Sequence, residues 1–395
     1  MNTTVATVTA PAARPAASRW FRFNLWLHRW SSLLAALPFL VLCVTGTVLI
    51  FHDEIDAAMG VVPEAQLAAA EQRPALAESV ANVLAAHPGQ RVLSVGEDAD
   101  EHPGVLLVSV APAADHDFSH AVASFTDLSS GKLLATKDLD KTFTGVLLDL
   151  HARWFLGPLG ELLDALIALL VLLSLLSGLV VYAPYVKRIA FGVLRRGRSA
   201  RLLQLDLHNF IGMVVLGWAL VVTVSGFMLG FGTVGVGVWQ ATELTQVQQQ
   251  YAHGEAVDAL HPPVGIDHAW NAAVAAAGPG WHVVSAIWPG TSFSAPSHYT
   301  VLLGGAKGLR ERLYRVALVN ARTGAVDTVR ELPWYLKAIL VSQPLHFGDY
   351  GGLPLKLLWT ACAWLTLFIT GNGAWLWWSR RRRKRRPEAV AEGVA

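Results

Sequence analysis

The chain has 395 residues, of which 53% are hydrophobic and 15% charged, with a formal net charge of +2 and only two cysteines. A soluble protein of this length carries more charge and fewer unbroken apolar runs, so that class is excluded. Cys43 and Cys362 both fall within apolar runs and read as core residues, which excludes a disulfide framework for the rest.

In chain order, residues 1–18, rich in Ala, Thr and Pro, read as a cytoplasmic tail. A first transmembrane segment follows over 19–52, with an apolar run at 31–51. That run is longer than a signal-peptide core of about 7–15 residues, and no small-residue cleavage site follows "LIFHDEID". Residues 53–145 form an acidic outer module. Within it, "PALAESVANVLAAH" has helical spacing, and "RVLSVGE", "GVLLVSVA", "AVASFTD" and "KLLATKD" alternate as strands. The second transmembrane segment, 146–186, pairs an interfacial stretch with an apolar run at 159–182. A basic loop (187–204) leads into the third at 205–231, whose apolar run is 211–231. A second outer module occupies 232–335, with a helix at 265–277 and strands at "WHVVSAIWP", "SHYTVLLGG", "LYRVALVNAR" and "AVDTVRE". The turns "SSGK" and "RTGA" precede the last strand of each module. The fourth transmembrane segment, 336–379, again pairs an interfacial stretch with an apolar run (354–378), and a basic tail closes the chain at 380–395. Each apolar run has about 20 residues or more, enough for a hydrocarbon core of roughly 30 Å.

Basic residues cluster at one side. Arg19, Arg22 and Arg29 precede the first run; Lys187, Arg188, Arg195, Arg196, Arg198 and Arg201 crowd the central loop; "RRRRKRR" follows the fourth run. By the positive-inside rule both termini are cytoplasmic and both modules lie outside. The fold class expected is membrane α-helical: four transmembrane helices as a tandem parallel repeat, with two small α+β modules. A shift of 180 residues lays Leu27-His28 on Leu207-His208 and Thr45-Gly46 on Ser225-Gly226, and the second and fourth segments correspond within a slip of two residues.

Four of the 14 histidines stand where the membrane begins. His28 and His208 open the first and third runs at the inner face; His151 and His346 precede the second and fourth at the outer face. An imidazole near a helix mouth is ordinary, but four at repeat-equivalent positions ask for a partner, since an unpartnered polar group in the bundle is costly. Two neutral imidazoles on facing helices are what a b-type haem needs as axial ligands. No C-x-x-C-H occurs, which excludes a covalently attached haem, and a bare ion would want more carboxylates or thiolates than Asp164 and Asp206. Arg29 and Arg153, each next to a candidate ligand, are candidates to contact haem propionates, although Arg29 also simply marks the inside. Gly46, Gly178, Gly226 and Gly371 admit two readings, room for a flat macrocycle or close contact between helices. His52 is a rival outer ligand. The nine histidines within the modules read as solvated.

The "LHRW…TG…FHDEID" and "LH…GPLG…SGLVVY" patterns, "PLHFGDYGG" and the closing "W-x-x-R-R-R" resemble the PepSY-associated transmembrane family over about residues 20–386. Within it the chain is similar to the di-haem ferric-siderophore reductases of the bacterial inner membrane. The resemblance implies PepSY-like periplasmic modules, haem b in the bundle, about two per chain, and reduction of a ferric siderophore in the periplasm. It places inner haem iron on His28 and His208 and outer haem iron on His151 and His346; at His346 "HFGD" departs from the family's commoner basic continuation. No G-x-G-x-x-G element follows a strand, so the electron donor is expected to be external, membrane quinol or another protein. The lipid bilayer is the remaining partner; no nucleic acid is expected. Two rivals stand beside this reading: a transporter using the histidines as proton or metal relays, and a membrane-anchored sensor or scaffold with ligand-binding modules.

Overall fold

The computed structural model describes residues 18–65, 76–97, 102–187, 189–252, 257–305 and 312–384. The tail expected over 1–18 (all but its last residue), Arg188 and the basic tail beyond 384 lie outside the described residues.

Helix α1 (Arg19–Leu49) begins where the Ser18 hydroxyl accepts from the Phe21 amide at 3.1 Å. It starts well before the apolar run, so that His28 is in its third turn rather than at its mouth. The short α2 (His52–Ala58) and α3 (Leu76–Ala86) follow, then strands β1 (Gln90–Glu97), β2 (Val105–Pro112), β3 (Val122–Asp127) and β4 (Leu133–Lys137). Helix α4 (Phe143–Arg153) ends on Trp154 and Phe155, both left-handed at φ 53° and 57°. This reversal drops the chain into α5 (Pro158–Val186). It brings the Arg153 carbonyl so close to Gly160 that a Cβ there would lie 1.5 Å away, so only glycine fits.

Helix α6 (Ala200–Leu229) is capped by Ser199 as α1 is by Ser18. Then come α7 (Gly232–Trp239), a π turn at Gln240–Leu244, α8 (Thr245–Gln250) and α9 (Ile266–Ala277). Strands β5 (His282–Ile287), β6 (His298–Gly304), β7 (Arg315–Asn320) and β8 (Val326–Glu331) lead to α10 (Trp334–Phe347) and α11 (Gly352–Lys384).

Among the described residues, four helices are long and apolar enough to cross a membrane, and they coincide with the four expected runs. They form a closed ring: α1 packs on α5, α5 on α6, α6 on α11, and α11 returns to α1. Leu37, Leu159 and Trp364 are 73%, 74% and 64% exposed on its outside, surface that a bilayer would cover. The short helices α4 and α10 pack against α1 and α6. Lys356 of α11, 7% exposed, reaches Asp53 at 3.3 Å and Glu54 at 3.0 Å, tying the fourth span to α2.

All eight strands expected from the sequence form, but they do not make two sheets. They make one antiparallel sheet in the order β4-β3-β2-β1-β5-β6-β7-β8. The seam is Ser94–Gly96 of β1 against Ser285–Ile287 of β5. Helices α3 and α9 cover one face around Val83, Val95, Leu106, Ala269, Val301 and Leu303, and each fully buried side chain of this kind contributes about 1.5–3 kcal/mol. Asp267 of α9 takes the first amides of α3, Leu76 and Ala77, so one module caps the other's helix. On the opposite face Val316 and Leu318 of β7 pack on Val247 of α8 and Leu336 of α10, which fixes α10 beneath the sheet. The two expected turns are there: Asp127 accepts from Ser129 and Ser130, Asn320 accepts from Arg322 and Thr323, and Gly131 and Gly324 supply the positive φ.

Candidate functional site

The four histidines meet in the two pairs read from the sequence. The ring centres of His28 and His208 are 6.4 Å apart, and those of His151 and His346 are 6.2 Å apart. Eighteen residues separate His28 from Gly46, which faces the outer pair, so the pairs lie about 27 Å apart along α1. The outer histidines do sit on short helices that are not spans, but their rings turn into the bundle.

Backbone and hydroxyl acceptors fix the protons on three of these rings. His28 Nδ1–H donates to the Ser174 carbonyl at 2.9 Å and His346 Nδ1–H to the Val222 carbonyl at 3.0 Å. A carbonyl only accepts, so the proton is on Nδ1 and the lone pair on Nε2. At His151 the acceptor is the Thr45 hydroxyl, 2.7 Å away, whose own proton is already given to the Val41 carbonyl. The Ser225 hydroxyl stands 3.3 Å from His346 Nδ1 and donates to Val221 in the same way. His208 lies beside the Ile369 backbone, and its buried Nδ1 closes no hydrogen bond among the described residues. Nδ1–H held by a carbonyl or hydroxyl with Nε2 left open is the arrangement that orients a metal-ligating imidazole.

Each ring rests edge-on against a glycine. A Cβ would lie 3.0 Å from His151 at Gly46, 3.1 Å from His28 at Gly178, 2.9 Å from His346 at Gly226 and 3.3 Å from His208 at Gly373. Three of these are the glycines expected; the fourth corrects the sequence reading. Gly371 faces open space, with nothing within 4 Å of a would-be Cβ, and Gly373 takes its place. The signal was available: the offset of 195 that relates His151 to His346 also relates Gly178 to Gly373 and Ser174 to Ile369, whereas the slip of two came from matching "LLSG" to "FITG".

A cavity of about 370 Å³ opens beside the outer pair, walled by Phe39, Cys43, Ile167, Trp218, Val222 and Trp359 and reaching both rings. It falls within the range of ligand pockets. Two indole N–H groups on its wall, Trp218 Nε1 and Trp359 Nε1, are buried without an acceptor among the described residues, which in a native interior calls for a ligand atom or water. Asp164 lines the same space and has only the Trp154 indole, at 3.3 Å, as a polar partner among the described residues.

The arginines do not behave alike. Arg153 is engaged by Glu161 at 3.4 Å and Asp149 at 3.5 Å, so its charge is already matched by protein carboxylates. Arg29, half-buried beside His28, makes no ion pair among the described residues. Asp206, expected near membrane depth, is buried under a two-pronged pair with Arg195 and a bond from Tyr185, which pins the basic loop over the inner end of the bundle. His52 is not a rival ligand here: its Nδ1 faces the Leu49 carbonyl at 3.0 Å and its Nε2 faces Asp53 at 2.9 Å. Burial would raise the Asp53 carboxyl, but the hydrogen bond and charge of His52 and the Lys356 ammonium outweigh it and bring its pKa down to about 2. Of the module histidines, His298 departs from the solvated reading: it is 1% exposed, between Ser297 at 3.0 Å and Asp327 at 2.6 Å, as a pin between β6 and β8.

These residues fit a haem iron. Iron bonded to two imidazole nitrogens at about 2.0 Å each, as metal–imidazole bonds run, places the ring centres about 6 Å apart, the separation of both pairs. A bare ion fits less well, because no group of three or more His, Cys, Asp or Glu side chains gathers in ion-holding geometry among the described residues. Two imidazoles per site suit a metal that brings its own equatorial ligands.

A comparison with curated proteins finds no match to this chain. The model of the PepSY-associated TM region matches residues 25–380, nearly the full length and all four spans. The chain therefore belongs to the PepSY-associated TM family, and it is a multi-pass membrane protein.

Proposed function

We propose that this protein is an oxidoreductase of the bacterial inner membrane that carries electrons outward and reduces a ferric siderophore in the periplasm, releasing Fe(II). The observation that carries the reading is the pair of facing imidazole couples at two depths, with ring centres 6.4 or 6.2 Å apart and Nδ1 engaged on three of the four rings. In it, His28 and His208 hold an inner haem b, and His151 and His346 an outer one. Haem b, when bound, supplies reversible one-electron chemistry, and two histidine ligands suit it to electron transfer.

The rest is the work of the protein's own groups. Ser174, Thr45 and the Val222 carbonyl hold three imidazoles in the ligating tautomer. Four glycines let the rings approach the helix axes. The apolar ring of spans keeps water from the sites and lowers the dielectric around them. The matching offsets of 180 and 195 support a tandem repeat in which each pair draws one histidine from either half of the chain. The shared sheet lies over the outer pair through α10, where a ferric complex would be received. Each Fe(III) takes one electron, and hard oxygen donors hold the resulting Fe(II) far less well, so the metal is released. The electrons come from membrane quinol or from a protein donor on the cytoplasmic side, where both termini lie in this reading. A transporter would call for discontinuous spans at the midplane; here all four run unbroken.

The deciding experiment is an absorption spectrum of detergent-purified protein made with haem available, oxidised and dithionite-reduced, with haem counted per chain. Sharp reduced bands of six-coordinate haem b near two per chain are expected. A colourless protein would end the proposal.

A further inference from the structure

The seam between the two half-sheets carries a second, separate feature. Arg91 of β1 is 3% exposed, yet no carboxylate pairs with it among the described residues. Its Nη1 meets His116 Nδ1 at 2.8 Å, its Nη2 donates to the Pro289 carbonyl at 3.0 Å, and its buried Nε has no partner among the described residues. A guanidinium is never neutral in a protein, so this is a full charge removed from water and answered only by uncharged groups. Burial presses its pKa down from the usual arginine range. Such a charge is costly unless something of opposite sign visits it.

What separates the guanidinium from solvent is one exposed side chain and one loop. His116 is exposed, and its Nδ1 is also 2.8 Å from the Gly290 carbonyl, so a single ring nitrogen stands between a donor and an acceptor and satisfies one of them only. A Cβ added at Gly290 would lie 4.0 Å from Arg91 Nη2, and Gly290 also borders a recess that Gln248, Thr291 and Ser294 line. The Ser292 hydroxyl on the same loop is buried without a partner among the described residues.

We propose that Arg91 is the anion-binding element of an outer-face site that takes a negatively charged, oxygen-rich metal chelate, with His116 holding the place of the ligand's oxyanion when the site is empty. The proposal rests on the reductase reading for the ligand's being a ferric chelate; the Arg91 geometry supplies its negative charge. Its chemistry is the forked guanidinium–carboxylate pair, which a polycarboxylate complex supplies and a cationic complex does not.

The test titrates the full-length, haem-loaded protein with gallium(III) citrate, a redox-inert anionic chelate, and with the gallium(III) complex of a cationic trihydroxamate as control. Wild type should bind the citrate complex; Arg91→Gln should weaken it at least tenfold, and Arg91→Lys should restore it only in part. His116→Ala, at an exposed position, should tighten it severalfold by freeing Nη1. Ferric citrate reduction by Arg91→Gln should show KM raised about tenfold with kcat unchanged, and the cationic control should ignore Arg91. No binding by wild type, or binding indifferent to both Arg91 and His116, overturns the proposal. Arg91-dependent binding in a protein that reduces no ferric chelate upholds the anion site and overturns the reductase reading instead.

Discussion

Gly226→Ala and Gly371→Ala, two single-methyl additions on facing spans, should have unequal effects. At Gly371 a Cβ meets nothing within 4 Å, so alanine gains its usual helical advantage of about 1 kcal/mol over glycine. At Gly226 the same methyl arrives 2.9 Å from His346 Cε1 and 3.3 Å from its Nδ1, where ordinary contact begins at 3.4 Å. The ring must retreat by about half an ångström. Its bond to the Val222 carbonyl then stretches from 3.0 Å toward 3.5 Å, the limit of a useful hydrogen bond. Overpacking of this kind costs about 1–3 kcal/mol, which cancels or exceeds the helical gain. The two variants should therefore differ by about 1–3 kcal/mol in unfolding free energy, read by SDS titration in mixed micelles, with Gly371→Ala the more stable. Haem content should separate them too: unchanged in Gly371→Ala, reduced at the outer site in Gly226→Ala. Equal stability with full haem in both would refute the claim that His346 is seated by the glycine.

Replacing His28 or His208 with alanine should remove one haem and leave the other, counted from the reduced spectrum; loss of both, or of neither, breaks the pairing by depth. Thr45→Val keeps shape but leaves His151 Nδ1 without its acceptor, and loss of such an orienting partner should weaken outer haem binding about 10–100-fold in a haem-transfer titration. The Asp53 pKa is lowered from 3.8 to about 2, so its contribution, about 2 kcal/mol, is fully present above about pH 4 and is lost as pH falls through about 2. A stability–pH profile of Asp53→Asn should lack that acid slope, and a slope identical to wild type would remove Asp53 as its source.

The sequence carried the spans, the eight strands, the paired turns and the four histidines, because each rests on a local pattern: apolar runs, alternation, Asp/Asn before Gly, or a repeat offset. What it hid were relations between distant segments. The joining of the modules depends on Ser94–Gly96 meeting Ser285–Ile287, and nothing in either strand marks it as an inner rather than an edge strand. The start of α1 at Arg19 was legible, but that of α6 at Ala200, five residues before the expected 205, was hidden because a polar cap and an amphipathic turn precede the apolar run. The carbonyls of Ser174 and Val222 carry no signature, since any residue offers one. Arg153 was a candidate for an anion because it stands near His151, yet Asp149 meets it from one turn earlier and the left-handed turn at Trp154 and Phe155 folds Glu161 back onto it. Gly371 was chosen over Gly373 by local resemblance, where the longer offset would have decided correctly.

Every feature with functional weight lies between the N-terminal and C-terminal halves of the chain. Each histidine pair takes one ring from each, the sheet closes through β1 and β5, Asp267 caps α3 from the other half, and Lys356 holds α2. Neither half alone could hold a metal between two imidazoles, and neither would bury Arg91, which needs Pro289 above it. A site built across an interface is sensitive to small displacements, because a shift of half an ångström between halves changes both ring separations at once. The continuous sheet opposes that shift at one end of the bundle, and the Arg195–Asp206–Tyr185 knot opposes it at the other. The polar connections at the two ends of the bundle thus do what the lipid-facing apolar surface cannot, which is to set the spacing of the facing rings.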